Sequence, residues 1–94
     1  MTTPAELLRE TLELLRTEGW IKHNSYIPGE GYCVYGAVET LGARLQLSSQ
    51  VIDEAEIRLR QVIHPLWEGK LSQWNDHPST RFADIEDAFE RAMR

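Results

Sequence analysis

Cysteine is nearly absent from this sequence, because the 94 residues contain only one, Cys33. A single thiol cannot close a disulfide within the chain, so the fold has to be held without covalent cross-links. The opening residues Met1–Pro4 also lack the basic and apolar stretches of a secretory signal peptide. We therefore expect a cytoplasmic protein.

Long apolar runs are missing as well. The longest of them cover only a few residues, whereas a membrane-spanning helix needs about twenty. We therefore expect no membrane-spanning segment and no membrane partner.

Basic residues are outnumbered in this chain. Lysine and arginine total 10 against 15 aspartates and glutamates, which gives a net charge of −5. The basic residues are spread among acidic ones, so no stretch of the sequence offers a cationic patch to a phosphate backbone. We expect no nucleic-acid partner.

The composition is otherwise that of a folded globular protein. Hydrophobic residues make up 41% of the chain and charged residues 27%, which is enough apolar surface to offset the entropy lost on folding. A chain of this length supports one hydrophobic core. We therefore predict a single domain that covers residues 1–94.

The first helix is marked at both ends. Thr3 suits the N-cap, Pro4 the first helical position and Glu6 the third, which together form a capping box. Leucines then recur at helical spacing until Gly19, a residue type favoured just beyond a helix C-terminus.

Two more helices follow a region of turn-forming residues. Positions 20–32 are interpreted as an ordered loop, with room for a short hairpin. Apolar residues at helical spacing predict a second helix from near Cys33, in which Gly36 permits close approach of another element. A third helix follows a cap at Ser48-Ser49 and ends or kinks at Pro65.

A fourth helix is predicted near the end of the chain, where apolar positions again recur at helical spacing: Phe82, Ile85, Ala88, Phe89 and Ala92. Before it, Trp74–Pro78 is interpreted as a turn whose polar side chains bond nearby backbone amides. The predicted fold is therefore all-α: a small compact domain of about four helices with an ordered loop before the second helix.

Three short motifs occur together in this chain: Gly19-Trp20, Cys33 followed by Gly36-Ala37, and Trp74-Asn75-Asp76 with Pro78. In this combination the chain resembles a family of small proteins of unknown function found widely in actinobacteria and their phages. That family carries Gly-Trp, Cys-x-x-Gly-Ala and Trp-Asn-Asp-x-Pro motifs in this order, and the likeness covers most of the chain. The family usually has Arg-Thr after the proline, whereas this chain has Thr80-Arg81. The resemblance implies one domain in which these motifs matter, and it implies no activity.

Cys33 is the candidate nucleophile for an enzyme. It lies where a helix is predicted to begin, and the amide groups and dipole of a helix N-terminus favour a thiolate. The possible bases and orienting groups are His23, His64, His77, Asn75 and Asp76. Of these, Cys33, His77 and Asp76 are the set we consider for a thiol-dependent enzyme. The favoured alternative is that Cys33 is a small buried residue that opens the second helix.

No spacing in the sequence is typical of a metal site. Thiolate and imidazole suit zinc, but the cysteine and the three histidines form neither a C-x-x-C nor an H-x-x-x-H pair. We therefore predict no metal and no cofactor.

Aromatic residues are more numerous than a core of this size can hold. Exposed aromatic side chains are favoured anchors at protein interfaces, although their rings can also cover the edge of the core with their polar tips in water. The residues that we assign to binding are Trp20, Tyr35, Trp67, Trp74 and Asp76.

The leading hypothesis for function is a small cytoplasmic accessory or interaction protein that binds another protein, which for a phage protein would belong to the host machinery. It rests on the surplus aromatic residues and the lack of catalytic spacing. Two alternatives stay open: a thiol-dependent enzyme that uses Cys33, and a small-ligand-binding domain around Trp20 and Trp74.

Overall fold

The computed structural model describes residues 2–94 and confirms the all-α fold class. Its two short strands form a hairpin, and every other regular element in the described residues is helical. In chain order the elements are α1 (Pro4–Glu18), β1 (Tyr26–Ile27), β2 (Gly31–Tyr32), α2 (Val34–Arg44), α3 (Ser49–Val62), a 3₁₀ turn (Pro65–Trp67), α4 (Leu71–Asp76) and α5 (Phe82–Ala92).

The capping residues predicted for α1 are confirmed. Thr3 Oγ1 accepts the backbone N–H of Glu6 at 3.1 Å, and Glu6 Oε1 accepts the N–H of Thr3 at 3.3 Å. At the other end, the N–H of Gly19 donates to the carbonyl of Leu15 at 3.0 Å. Gly19 has a φ of 103°, a conformation that a residue with a Cβ rarely adopts.

The starts of α2 and α3 also agree with the sequence. Cys33 is the N-cap of α2, and its Sγ accepts the N–H of Gly36 at 3.2 Å. Ser48 caps α3 by accepting the N–H of Val51 at 3.4 Å. Helix α3 ends at Val62, and Pro65 opens the 3₁₀ turn that follows.

Two segments that were predicted to be a loop and a turn contain regular secondary structure. The loop before α2 contains the hairpin, in which Tyr26 pairs with Tyr32 and Ile27 with Gly31. The prediction of a turn over Trp74–Pro78 is wrong for its first three residues, which are the last half of α4. Six residues are too few for a helical period to be visible in the sequence.

The hydrophobic core lies where α1 meets α2, α3 and α5. These three helices together cover the leucine stripe of α1, and Leu7, Leu8, Leu12 and Leu15 are all buried. The fully buried core side chains come from these four helices: Leu7, Leu8, Val34, Ala37, Val38, Ala55, Leu59, Ile85 and Phe89.

The helices of residues 2–94 are too short or too polar to cross a bilayer, and none meets the length and hydropathy of a membrane span.

The close approach predicted at Gly36 is present. A Cβ built on Gly36 would lie 2.4 Å from the carbonyl oxygen of Ser25, which belongs to the loop before the hairpin. The N–H of Cys33 donates to the same oxygen at 3.1 Å. The start of α2 and this loop are therefore packed backbone to backbone, with no room for a side chain between them.

We predict that Gly36→Ala lowers the free energy of unfolding by about 1–3 kcal/mol, because the added methyl group would overlap backbone that cannot rotate away. Gly42→Ala is the matched control in the same helix. Its methyl group would meet the side chain of Ile52, whose Cδ1 and Cγ1 would both be 2.6 Å away and which can move more easily than backbone, while alanine adds helix propensity of about 1 kcal/mol. Urea unfolding of both variants would contradict this account if the two lost equal stability.

Candidate functional site

The side chain of Asn75 lies at the centre of a hydrogen-bond network that joins three segments of the chain. It is 1% exposed. Its Oδ1 accepts hydrogen bonds from Trp20 Nε1 at 2.7 Å and from the backbone N–H of Val34 at 3.0 Å. Its Nδ2 donates to the carbonyl of Ile21 at 3.0 Å and to Asp76 Oδ1 at 2.9 Å. The full hydrogen-bonding capacity of the amide group is therefore used.

The next two residues extend this contact. Asp76 Oδ1 also accepts the backbone N–H of His23 at 2.8 Å, and Lys22 Nζ donates to the carbonyl of His77 at 2.7 Å. His23 has a φ of 73°, which is uncommon for a residue other than glycine. The bond to Asp76 helps to hold His23 in that conformation, so segment 20–23 is fixed against the end of α4.

Gly19 and Gly31 allow the hairpin to pack closely against the segment that carries Trp20. The carbonyl of Gly19 accepts the N–H of Tyr32 at 3.0 Å, and a Cβ on Gly31 would lie 2.1 Å from that carbonyl oxygen. The Gly-Trp, Cys-x-x-Gly-Ala and Trp-Asn-Asp motifs, which are far apart in sequence, therefore meet at one point in the structure. Asn75 contacts the first two of them directly.

A cavity of about 110 Å³ lies beside this network, lined by His23, Asn24, Ser25, Cys33, Ser72 and Asp76. Cys33 is 8% exposed, which agrees with the expectation of a largely buried helix-opening residue. His23 Nδ1 lies 3.9 Å from Asp76 Oδ2. The cavity thus brings a thiol, an imidazole and a carboxylate to one place, which is the set of groups that thiol chemistry uses.

His77 does not line the cavity of Cys33, although it follows Asp76 in the sequence. Its ring packs edge-on against Trp67, with 4.9 Å between the ring centroids, and its Nδ1 lies 2.6 Å from Ser79 Oγ. The structure therefore brings Cys33 and Asp76 together, with His23 in the position for which the sequence suggested His77.

Trp67 and Trp74 line a cleft of about 250 Å³, which we call the tryptophan cleft. It lies between the end of α3 with the following 3₁₀ turn and the face of α5. Asp84 and Asp87 also line its α5 wall, and Asp84 Oδ2 accepts the backbone N–H of Arg81 at 2.8 Å. Arg91 also lines this wall. Its Nε lies 3.4 Å from Asp87 Oδ2, and its Nη2 donates to the carbonyl of Val62 at the end of α3.

The other residues assigned to binding lie on different surfaces. Trp20 lines a groove with Phe82, and the centroids of the two rings are 6.0 Å apart. Tyr35 lines a third groove together with Arg60 and Lys70. Trp20 and Trp74 therefore line different pockets, although the Trp20 indole donates a hydrogen bond to Asn75, the neighbour of Trp74.

One titratable residue with an unusual environment, Glu56 of α3, was not singled out from the sequence. It is 3% exposed, and burial together with the neighbouring Glu39 carboxyl raises the pKa of Glu56 to about 8. A signal for its burial exists in the sequence, because Glu56 precedes Leu59 and Ile63 at helical spacing. Its position on the buried stripe of α3 follows from that spacing.

Within residues 2–94, no group of three or more histidine, cysteine, aspartate or glutamate side chains is placed to hold a metal ion.

We predict that Asn75→Asp lowers the free energy of unfolding by roughly 3 kcal/mol, because the carboxylate keeps the shape of the amide but loses both donors. The carbonyl of Ile21 would lose its partner, and a second charge would lie beside Asp76. Gln73→Glu makes the same chemical change at an exposed position of α4 and should leave stability nearly unchanged. Equal urea midpoints for the two variants would contradict the central role of Asn75.

Comparison with known proteins places the chain by sequence only. Neither the curated proteins nor the solved structures provided a match. The sequence model of one family, described as "Family of unknown function (DUF6197)", matches residues 1–94. This agrees with the resemblance inferred from the three motifs that meet at Asn75. The chain belongs to this family of unknown function, DUF6197.

Proposed function

We propose that the protein binds another protein, and that the tryptophan cleft receives a basic side chain of that partner. The observation that carries this proposal is that Trp67 and Trp74 line one cleft together with the acidic residues Asp84 and Asp87. An aromatic face and carboxylates both attract an arginine or lysine side chain.

An exposed apolar residue next to Trp67 in the sequence favours a protein partner rather than a small ion. Leu66, which precedes Trp67 in the 3₁₀ turn, is 77% exposed. An exposed leucine next to a partly buried tryptophan provides the apolar contact that surrounds a specific polar one at protein interfaces. The net charge of −5 also favours the approach of a basic partner.

The position of Trp67 is fixed before any partner binds. Its ring packs against His77, and the backbone N–H of Trp67 donates to the carbonyl of His64 at 3.0 Å. A side chain that is already held loses little entropy on binding. We assign this accessory role to the cytoplasm, and for a phage member of the family the host machinery would supply the partner.

The test uses a short capped peptide that contains one arginine beside one leucine, and a matched peptide with citrulline in place of arginine. Citrulline keeps the shape of the side chain but removes its charge. We expect the arginine peptide to shift the NMR signals of the Trp67 indole and of the α5 amides, and to bind about two- to fivefold more tightly than the citrulline peptide.

Two variants separate the cleft from general attraction to an acidic protein. Asp87→Asn should remove most of the preference for arginine, whereas Glu30→Gln in the exposed hairpin turn should leave it unchanged, although both alter the net charge equally. Equal affinity for the two peptides, or shifts that map to another surface, would refute the proposal.

A second candidate function, a thiol-dependent enzyme, is favoured by the cavity that Cys33 shares with His23 and Asp76. In this proposal His23 takes the proton of the thiol, Asp76 orients the imidazole, and Cys33 Sγ becomes the nucleophile at the N-terminus of α2.

This second candidate predicts that native Cys33 reacts with an aromatic disulfide reagent at neutral pH as fast as the unfolded chain does. His23→Ala should slow the native reaction several-fold, and His77→Ala should not, because His77 lies outside the cavity. Reaction that requires denaturant would exclude the thiol enzyme and leave Cys33 as a capping residue.

A further inference from the structure

The carboxyl group of Glu56 lies in the contact between α2 and α3, away from both candidate sites. It is 3% exposed, and its Oε2 has no hydrogen-bond partner among the described residues. A buried carboxyl oxygen without a partner is costly, since nothing replaces the water it has lost. This position therefore requires an explanation beyond packing.

The charged and titratable groups around Glu56 come from both helices. Glu39 of α2 is within hydrogen-bonding reach, and Asp53 of α3 also acts on the charge of Glu56. Glu56 in turn raises the pKa of Tyr35 of α2. Arg60 Nη2 lies 3.8 Å from Glu56 Oε1, which is too long for a hydrogen bond. Two ionised carboxylates have no proton to donate to each other, so the pair is favourable only when one of them is protonated.

We propose that Glu39 and Glu56 share one proton and form a pH-dependent joint between α2 and α3, which is tight when the proton is bound and loosened when both carboxyl groups ionise. The proton supplies the hydrogen bond that the geometry otherwise lacks. Its loss would place two negative charges in a contact with no fully formed ion pair to either of them.

The pKa of Glu56 determines the direction of the pH effect. Burial, which is the larger cause, and the neighbouring Glu39 raise this pKa from its ordinary value of 4.5 to about 8 in the folded protein. Below pH 4.5 the folded and unfolded chains both hold the proton, and the contribution of this pair to stability is greatest. As the pH rises from 4.5 to 8 the unfolded chain releases the proton more readily, so stability falls. Above pH 8 both states are ionised and the effect is complete.

Ionisation would also reach the surface. Arg60 is the nearest cation to Glu56, and it lines a groove together with Tyr35 and Lys70. A second negative charge beneath this groove draws the guanidinium of Arg60 inward. The shape and charge of the groove therefore change with the protonation of the pair.

The first measurement is the ¹³C chemical shift of the Glu56 carboxyl in the wild-type protein between pH 4 and 9.5. We expect a midpoint several pH units above that of exposed glutamates. A midpoint near 4.5 would overturn the proposal without the need for any variant.

The second measurement is urea unfolding between pH 5 and 8.5. The unfolding constant of the wild-type protein should rise by about a hundredfold or more across this range. Glu56→Gln, whose amide mimics the protonated acid, should remove most of that rise, and Glu54→Gln, at an exposed position of the same helix, should retain it. Equal pH dependence in wild type and Glu56→Gln would overturn the proposal.

Discussion

The four hydrogen bonds of the Asn75 side chain are the interaction on which the arrangement of this protein depends. Only a primary amide offers two acceptor and two donor positions on one short, uncharged group. Here those positions are divided between an indole, the first amide of α2, a backbone carbonyl and a carboxylate. Because the group is buried, each bond that is lost leaves a polar atom without water as well as without a partner. The three motifs of this chain are therefore parts of one structural joint.

Helix α4, which carries this joint, also separates the two candidate sites. Trp74 points toward the tryptophan cleft, whereas Asp76, two residues later, lines the cavity of Cys33. A helix of six residues has little stability of its own, so its position is set by Asn75 and by the burial of Leu71 and Trp74. Any change that displaces α4 would alter both candidate sites together. When a mutation in α4 abolishes binding or reactivity, the stability of the variant therefore has to be measured as well.

The sequence was informative where the signal is local and silent where it is not. The limits of α1 and α3 depend on caps such as Thr3 and Ser48, which act within a single turn. The contacts of Asn75 join residues 41 to 55 positions apart, and no spacing rule gives such pairs. The sequence offered three histidines as possible bases for Cys33. Only the folded structure shows that His23 is the one that lines the cavity of Cys33. The burial of Glu56 could be read from its place on the stripe of α3, but its pairing with Glu39 requires the packing of two helices.

The central position of α1 has a consequence for the order in which the molecule forms. During synthesis α1 emerges before the other helices, yet α5, which covers part of its leucine stripe, emerges after all of them. The core therefore cannot close on the ribosome until most of the chain has been made, and until then apolar side chains of α1 stay open to other contacts. A chain that is halted before α5 therefore leaves part of the leucine stripe of α1 uncovered.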